Sequence, residues 1–327
     1  MRTNDDKIDV QSGCCTISES EKKEKVAVAR LSIFSNISLT ILKVFAGLLS
    51  GSVSILSEAI HSGMDLIASM IAYLSVKRSG EPPDTQHAYG HGKYEDISGL
   101  IEAILIFIAG LFIIYEAVQK VFHPHEFASS HLLIGIIVMG ISAVVNTFVS
   151  HQLMKTAKKT NSIALEGDAW HLRTDIYTSV GVMGGLIVVY ITEISIFDPL
   201  IAIVVALIII KTSIGLIKRS YEDLTDYSLS EGERKSIEEI VLQFKGQILN
   251  MHNLKTRRAG PEMFIEFHIV VDGNMSVHNA HALIDSIEDA LMNRFQRAVV
   301  TVHLEACEKD CDACTAQCHE KLFRHSR

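Results

Sequence analysis

Six transmembrane helices followed by a small α+β domain is the fold class that this sequence predicts. Two observations carry the prediction. Up to Arg219 the chain holds six long apolar runs joined by short polar turns, and from Glu231 onward charged and apolar residues alternate as in a water-soluble domain. The bulk numbers agree. The 327 residues suffice for two domains of roughly 100–200 residues each. An apolar fraction of 48% and a mean hydropathy of +0.26 are modest for a membrane protein and fit a membrane part joined to a soluble part. The net charge of −8 gives no sign of the basic face that nucleic-acid binding requires, so nucleic acid is not an expected partner.

Residues 1–25 are polar and mixed in charge, with no apolar core. They are not a cleavable signal peptide and are expected to form a flexible cytoplasmic tail. The transmembrane domain is expected over 26–219. A hydrocarbon core of about 30 Å needs roughly 20 helical residues, and six stretches qualify: Val26–Ser50, Val53–Val76, Ile97–Phe122, Leu132–Ser150, Ser162–Ile191 and Ile194–Ile217. The fourth carries no charge. Lys43 interrupts the first and Lys211 the sixth; each is expected to snorkel or to pair with a neighbour. Lys and Arg set the orientation. Lys77, Arg78 and Lys93 follow the second span, Lys155, Lys158 and Lys159 the fourth, and Lys218 and Arg219 the sixth. The turns near Gly51 and Thr192 carry none, and the third loop has only Lys120. Both termini are therefore expected in the cytoplasm, with the chain integral to an inner or plasma membrane.

A soluble domain is expected over 227–306. Glu231–Phe244 reads as an amphipathic helix, Ile248–Arg258 and Met263–Val271 as strands around a Gly260-Pro261 turn, Val277–Phe295 as a second helix and Ala298–Leu304 as a third strand. The six cysteines are confined to the two ends, Cys14 and Cys15 at one and Cys307, Cys311, Cys314 and Cys318 at the other. Clustering of this kind fits reduced cytosolic thiols rather than a disulfide framework.

The chemistry lies in two spans. The second contains His61-Ser-Gly-Met-Asp65 and the fifth His171-Leu-Arg-Thr-Asp175. In each, His and Asp stand at i and i+4 and project from one helix face. An ionisable residue near the bilayer centre costs roughly 2.5–3.5 kcal/mol on insertion scales, which argues for a function over a pair of structural polar ties. Each His lies about 13 Å along its helix at 1.5 Å per residue, so antiparallel neighbours would bring both pairs to the same depth. Two imidazoles and two carboxylates suit tetrahedral zinc, and their two negative charges cancel one dication. A loaded site is then nearly neutral and tolerable at low dielectric, whereas an unloaded one recruits protons. Metal and protons compete for the same groups.

Together with the stretch His87-Ala-Tyr-Gly-His91-Gly-Lys93-Tyr-Glu95, these paired motifs resemble the cation diffusion facilitator family from about Ala29 to Glu305. The resemblance implies a homodimer whose six-span domain exports metal by alternating access, usually against protons. It also implies a ferredoxin-like, metallochaperone-like cytoplasmic domain. His at position 61, rather than Asp, implies a preference for Zn2+, both transported and regulatory, with protons as the counter-ion. It maps a second metal site onto Asp84, His87 and His91, whose i, i+3, i+7 spacing lies in a loop with Pro82, Pro83 and Gly90. It maps a binuclear cytoplasmic site onto His252, His268, His303 and Glu305, with His281 supplied by the second protomer. The family usually has Asp where Glu305 stands. Lys93 and Asp226 match positions where some members form an interprotomer charge interlock.

Other features are less specific. Cys307, Cys311, Cys314 and Cys318, with His319, form one stripe on a helix and would suit a soft metal, or else belong to a redox-sensitive tail over 307–327. His123, His125 and His131 form either a weak release surface or a solvated loop. The competing class is a membrane di-iron enzyme, because Glu58-x-x-His61 and Asp168-x-x-His171 resemble carboxylate-x-x-His pairs, with Glu102 and Glu116 as bridging carboxylates. A metal sensor without transport is a third reading. HExxH, the Walker A lysine loop and G-x-S-x-G do not occur, so the expectation is a carrier and not an enzyme. On this reading His61→Asp replaces a borderline nitrogen ligand with hard oxygen and broadens metal choice toward iron, cobalt or manganese. A metal panel in a liposome flux assay checks it, and an unchanged metal ranking would place selectivity elsewhere.

Overall fold

The computed structural model describes residues 19–50, 53–122, 132–192, 197–295 and 297–307. Within its helices, the side chains of 53–61 and 181–192, among others, lie outside the description. The described residues divide into two units, one over residues 19–227 with Arg258–Pro261 and the other over Ser228–Arg257 with residues 262–307.

The membrane unit holds six helices: α1 (Glu19–Ser50), α2 (Val53–Ser79), α3 (Lys93–Phe122), α4 (Leu132–Thr160), α5 (Ile163–Thr192) and α6 (Phe197–Leu224). Over the described residues, α1, α3, α4 and α6 are each long and apolar enough to cross a bilayer. The other two, α2 and α5, carry the His-x-x-x-Asp pairs. Large apolar side chains point outward, among them Phe34, Ile41, Phe45, Phe112 and Val144, as expected of a lipid-facing surface. Small residues close the contacts between helices. Ala29, Ala157, Ala164 and Ala169 are fully or almost fully buried in one cluster with Leu153, Leu165 and Leu172, and they let backbones approach as membrane helix packing requires. α3 lies along α6, α1 along α2 and α4 along α5, while α5 also touches α2, α3 and α6.

Helix α1 begins at Glu19, earlier than the tail boundary expected from polarity. Its first turns are held by charge. Lys25 is 1% exposed and pairs with the buried Glu95 of α3. Ser79, the last residue of α2, and Ser162, just before α5, also donate to Glu95. Lys159 of α4 reaches Glu24 at 2.6 Å. Helix α6 likewise runs past the expected end at Ile217. Arg219 pairs there with Glu166 of α5 at 2.5 Å.

The soluble unit follows the order α7 (Glu231–Leu242), β1 (Asn250–Ala259), β2 (Glu262–Asp272), α8 (Val277–Arg294), β3 (Ala298–Cys307). Ser230 caps α7 in a capping box with Glu233, and Ser276 caps α8. The sheet order is β1-β2-β3. A tight turn joins β1 to β2, with Gly260 at φ +57°, a conformation glycine adopts at little cost. β3 returns through α8 and pairs parallel to β2, with His268 opposite His303 and Val270 opposite Glu305. Side chains alternate across the sheet. Met263, Ile265, Phe267, Ile269 and Val271 face the core formed with Ile237, Val241, Leu283, Ile287 and Leu291, so His268 stands on the other face.

Lys25→Ala leaves the Glu95 carboxylate buried without its cation, a change that costs about 3–5 kcal/mol. We expect a clear fall in the thermal midpoint of the solubilised protein, largely restored by Lys25→Arg. An unchanged midpoint would show that Glu95 is held by its two serines alone.

Candidate metal centres

Among the described residues, three groups of ligand-type side chains converge, each with all its ligand atoms within 4.8 Å of one another. In the membrane unit, the group is Asp65 of α2 with His171 and Asp175 of α5. Asp65 and His171 are buried, at 5% and 9% exposure. His171 Nε2 lies 3.0 Å from Asp65 Oδ1 in a hydrogen bond between the two helices. The Asp65 turn is tied to α1, because Ser69 donates to the Asp65 carbonyl and receives the Asn36 amide at 3.0 Å. His61 lies one helical turn before Asp65 in α2; its side chain falls outside the described residues.

The second group, Asp84, His87 and His91, lies in the α2–α3 loop. Asp84 folds the loop around itself. Its Oδ1 accepts the backbone N–H of His87 at 2.6 Å and of Gln86 at 2.8 Å. These bonds, the one from His87 first, hold its carboxyl below the usual carboxylate range. The His87 and His91 rings stand 4.5 Å apart. His91 is 2% exposed, and neither ring nitrogen has a hydrogen-bond partner, although Nε2 comes within 3.3 Å of Asp84 Oδ2. A buried imidazole with both nitrogens orphaned is costly unless a ligand takes a lone pair, so this donor set fits a metal.

The third group is His252, His268 and Glu305. Glu305 Oε1 accepts from His268 Nδ1 at 2.8 Å, and Oε2 lies 3.4 Å from His252 Nε2. The His268 bond, followed by the surrounding histidines, lowers the Glu305 carboxyl below its ordinary value. The His303 ring stands 4.6 Å from that of His268. His281 is exposed on α8 and pairs with Asp285 at 3.0 Å, away from this group in its own chain. The sequence offered no sign of Asn253. Its left-handed backbone, φ +54°, turns its amide to within 3.0 Å of His268 Nε2. Donation from Asn253 would leave the proton on Nδ1, where Glu305 accepts it.

Lys93 and Asp226 meet at 2.9 Å within one chain, because α3 starts beside the turn that ends α6. Cys307 is a free thiol at the end of β3. Cys14, Cys15, His123, His125, His131, Cys311, Cys314, Cys318 and His319 lie outside the described residues. Of the bridging carboxylates that a di-iron site would need, Glu116 is exposed on α3. Glu102 is buried, with a carboxylate oxygen 2.6 Å from where a Cβ on Gly167 would stand. It is not among the three convergent groups.

Residues 29–225 match the cation efflux transmembrane domain, and residues 229–307 match the cytoplasmic domain of cation efflux proteins. An uncharacterized transporter of Synechocystis is 35% identical over 280 residues, covering 86% of this chain and 90% of that one. The cation-efflux pump FieF of Pectobacterium carotovorum is 31% identical over 265 residues, covering 81% and 87%. A solved structure of the zinc-transporter candidate CzrB in its zinc form is 40% identical, with a TM-score of 0.24, and covers 25% of this chain and 93% of that one.

Glu305→Gln removes the anion of the third group and is expected to weaken zinc binding there by at least about tenfold. Acidification should act differently. With its carboxyl held low, Glu305 stays anionic in mild acid, so binding lost there reports protonation of the imidazoles. Calorimetric zinc titration of the full chain across a pH series checks both. Equal zinc affinity in Glu305→Gln would remove Glu305 from the ligand set.

Proposed function

We propose that this chain, which belongs to the cation efflux family, is a secondary transporter that exports a divalent transition metal, Zn2+ first among them, from the cytoplasm in exchange for protons. The observation that carries this reading is the convergence of Asp65, His171 and Asp175 within 4.8 Å, inside a bundle of membrane helices. His61 completes the set as a second imidazole from α2. Two nitrogen and two oxygen donors match zinc's tetrahedral preference at about 2.0–2.2 Å, and two carboxylates neutralise the dication.

Protons enter through the same atoms. His171 Nε2 and Asp65 Oδ1, which would each give a lone pair to the metal, share a proton at 3.0 Å. Metal arriving must displace that proton, and protons arriving must displace the metal. Release on the acidic side and loading on the other then follow by alternating access. The transporter works as a homodimer in an inner or plasma membrane, with both termini cytoplasmic on the lysine and arginine distribution. The loop group acts in loading, and the cytoplasmic group senses metal, with His281 of the second protomer joining it. The enzyme reading loses support because Glu116 is exposed and cannot bridge at a buried site.

Asp175→Ala is expected to abolish zinc flux in proteoliposomes while the protein stays folded, since half of the neutralising charge is gone. Normal flux in this variant would rule out the site. For the wild-type chain, an opposing pH gradient should drive zinc flux, with more than one proton released per zinc bound. Calorimetry in buffers of different ionisation enthalpy counts those protons. Zero release, together with flux indifferent to the gradient, would leave a uniporter.

A further inference from the structure

Arg30 of α1 and Lys77 of α2 are exposed cations at one corner of the helical bundle. They come together around Tyr73. The Arg30 guanidinium lies 5.9 Å from the centre of the Tyr73 ring, and the charged groups that act on that phenol are Arg30 and Lys77, both basic. Asn36 of α1 reaches Ser69 of α2, and Thr40 reaches Ser62. The two helices are therefore antiparallel, and in this register Arg30 comes level with the Ser75 turn. A cavity of 380 Å3 opens there, lined by Leu74, Ser75, Lys77, Arg78, Glu81 and Tyr94. Arg78 lies 6.0 Å from the centre of the Tyr94 ring and pairs with Glu81. Among the described residues that line the cavity or act on Tyr73, Glu81 is the one carboxylate, against the three cations Arg30, Lys77 and Arg78. Both helices then turn apolar side chains outward. Phe34 and Ile37 continue the Arg30 face of α1, and Met70 and Leu74 lead to the Lys77 and Arg78 face of α2, at the three- and four-residue spacing of one helix face.

We propose that this corner is a binding site for an anionic phospholipid, whose headgroup phosphate is held by Arg30, Lys77 and Arg78 and whose acyl chains lie along the apolar stripes. Basic residues at one end of a membrane helix follow from orientation alone. Here cations from two helices meet at a concave surface beside two phenol rings, which is the form of a headgroup pocket between membrane helices. The net charge at the corner is +2, three cations less Glu81, so it selects a headgroup with net negative charge. A zwitterionic headgroup brings its own cation and gains less. Arg30 presents the planar donor fork that suits phosphate oxygens, and Lys77 adds a point charge. Tyr73 and Tyr94 supply the amphipathic rings typical of headgroup depth. The ligand is the lipid and not free phosphate, because Leu74 stands 56% exposed in the cavity wall and only an apolar chain covers it. The site goes beyond the metal-transport reading and does not depend on it.

The test uses the full-length chain in mild detergent, titrated with phosphatidylglycerol or phosphatidylcholine, with bound lipid counted by native mass spectrometry. Phosphatidylglycerol is expected to bind at least about tenfold more tightly, given a net of two charges at the corner. Lys77→Gln and Arg30→Gln should each weaken phosphatidylglycerol by about fivefold and leave phosphatidylcholine nearly unchanged. Arg30→Lys and Lys77→Arg, which keep the charge, should each retain most of the affinity. Lys77 is exposed, so its variant keeps the test open if Arg30→Gln fails to fold. Inorganic phosphate in millimolar excess should not displace the lipid. Equal affinity for the two lipids, glutamine variants that bind phosphatidylglycerol like the parent, or displacement by inorganic phosphate would each overturn the proposal. So would cross-linking of Leu74→Cys between two copies in the presence of saturating phosphatidylglycerol, since a second copy of the chain would then cover this face. Zinc flux is not a readout here, so failure of the lipid site and failure of the transport reading are separate results.

Discussion

Burying charge inside a helical bundle is expensive, and Glu95 shows how the chain meets that cost. The carboxylate is fully buried, so a cation and donors must come to it from elsewhere in the sequence. Lys25 comes from α1, Ser79 from the end of α2 and Ser162 from the residue before α5. A single acidic group at the start of α3 thereby fixes the ends of three other elements. Lys159 and Arg219 add pairs from α4 and α6, and these are exposed enough to contribute little each. The position of α5, and with it His171 and Asp175, depends on the buried clasp more than on the outer pairs.

Much of this architecture was legible from periodicity. The apolar runs gave six helices, and the alternation after Glu231 gave the helix–strand–strand–helix–strand order. Hydropathy failed at the helix ends. Residues 19–25 are charged and read as tail, but Lys25 belongs to the bundle because its partner is Glu95, seventy positions away. No local window contains that partner. The far end of α6 was cut short for the same reason: Arg219 looks like a boundary until Glu166 is beside it.

The metal groups divide along the same line. Ligands at i and i+4, or alternating along a strand, share a face by geometry alone, so Asp175 with His171 and Glu305 with His303 could be paired on paper. Bringing Asp65 to His171 required the antiparallel packing of α2 and α5. Bringing His268 to His303 required a parallel register between β2 and β3. Residues that act through others stayed invisible. Asn253 reaches His268 only because its backbone is left-handed, and the neighbour that Lys43 was expected to pair with could be identified as Ser62 only once α1 and α2 were packed in register.

The cross-links along α1 and α2 have a mechanical consequence. Asn36, Thr40 and Lys43 hold α2 at two levels about two turns apart. A tilt of α2 alone would break all three bonds in a medium with no water to replace them. Any tilt of α2 would therefore carry α1 with it, and the two helices would move through the lipid as one stiff body.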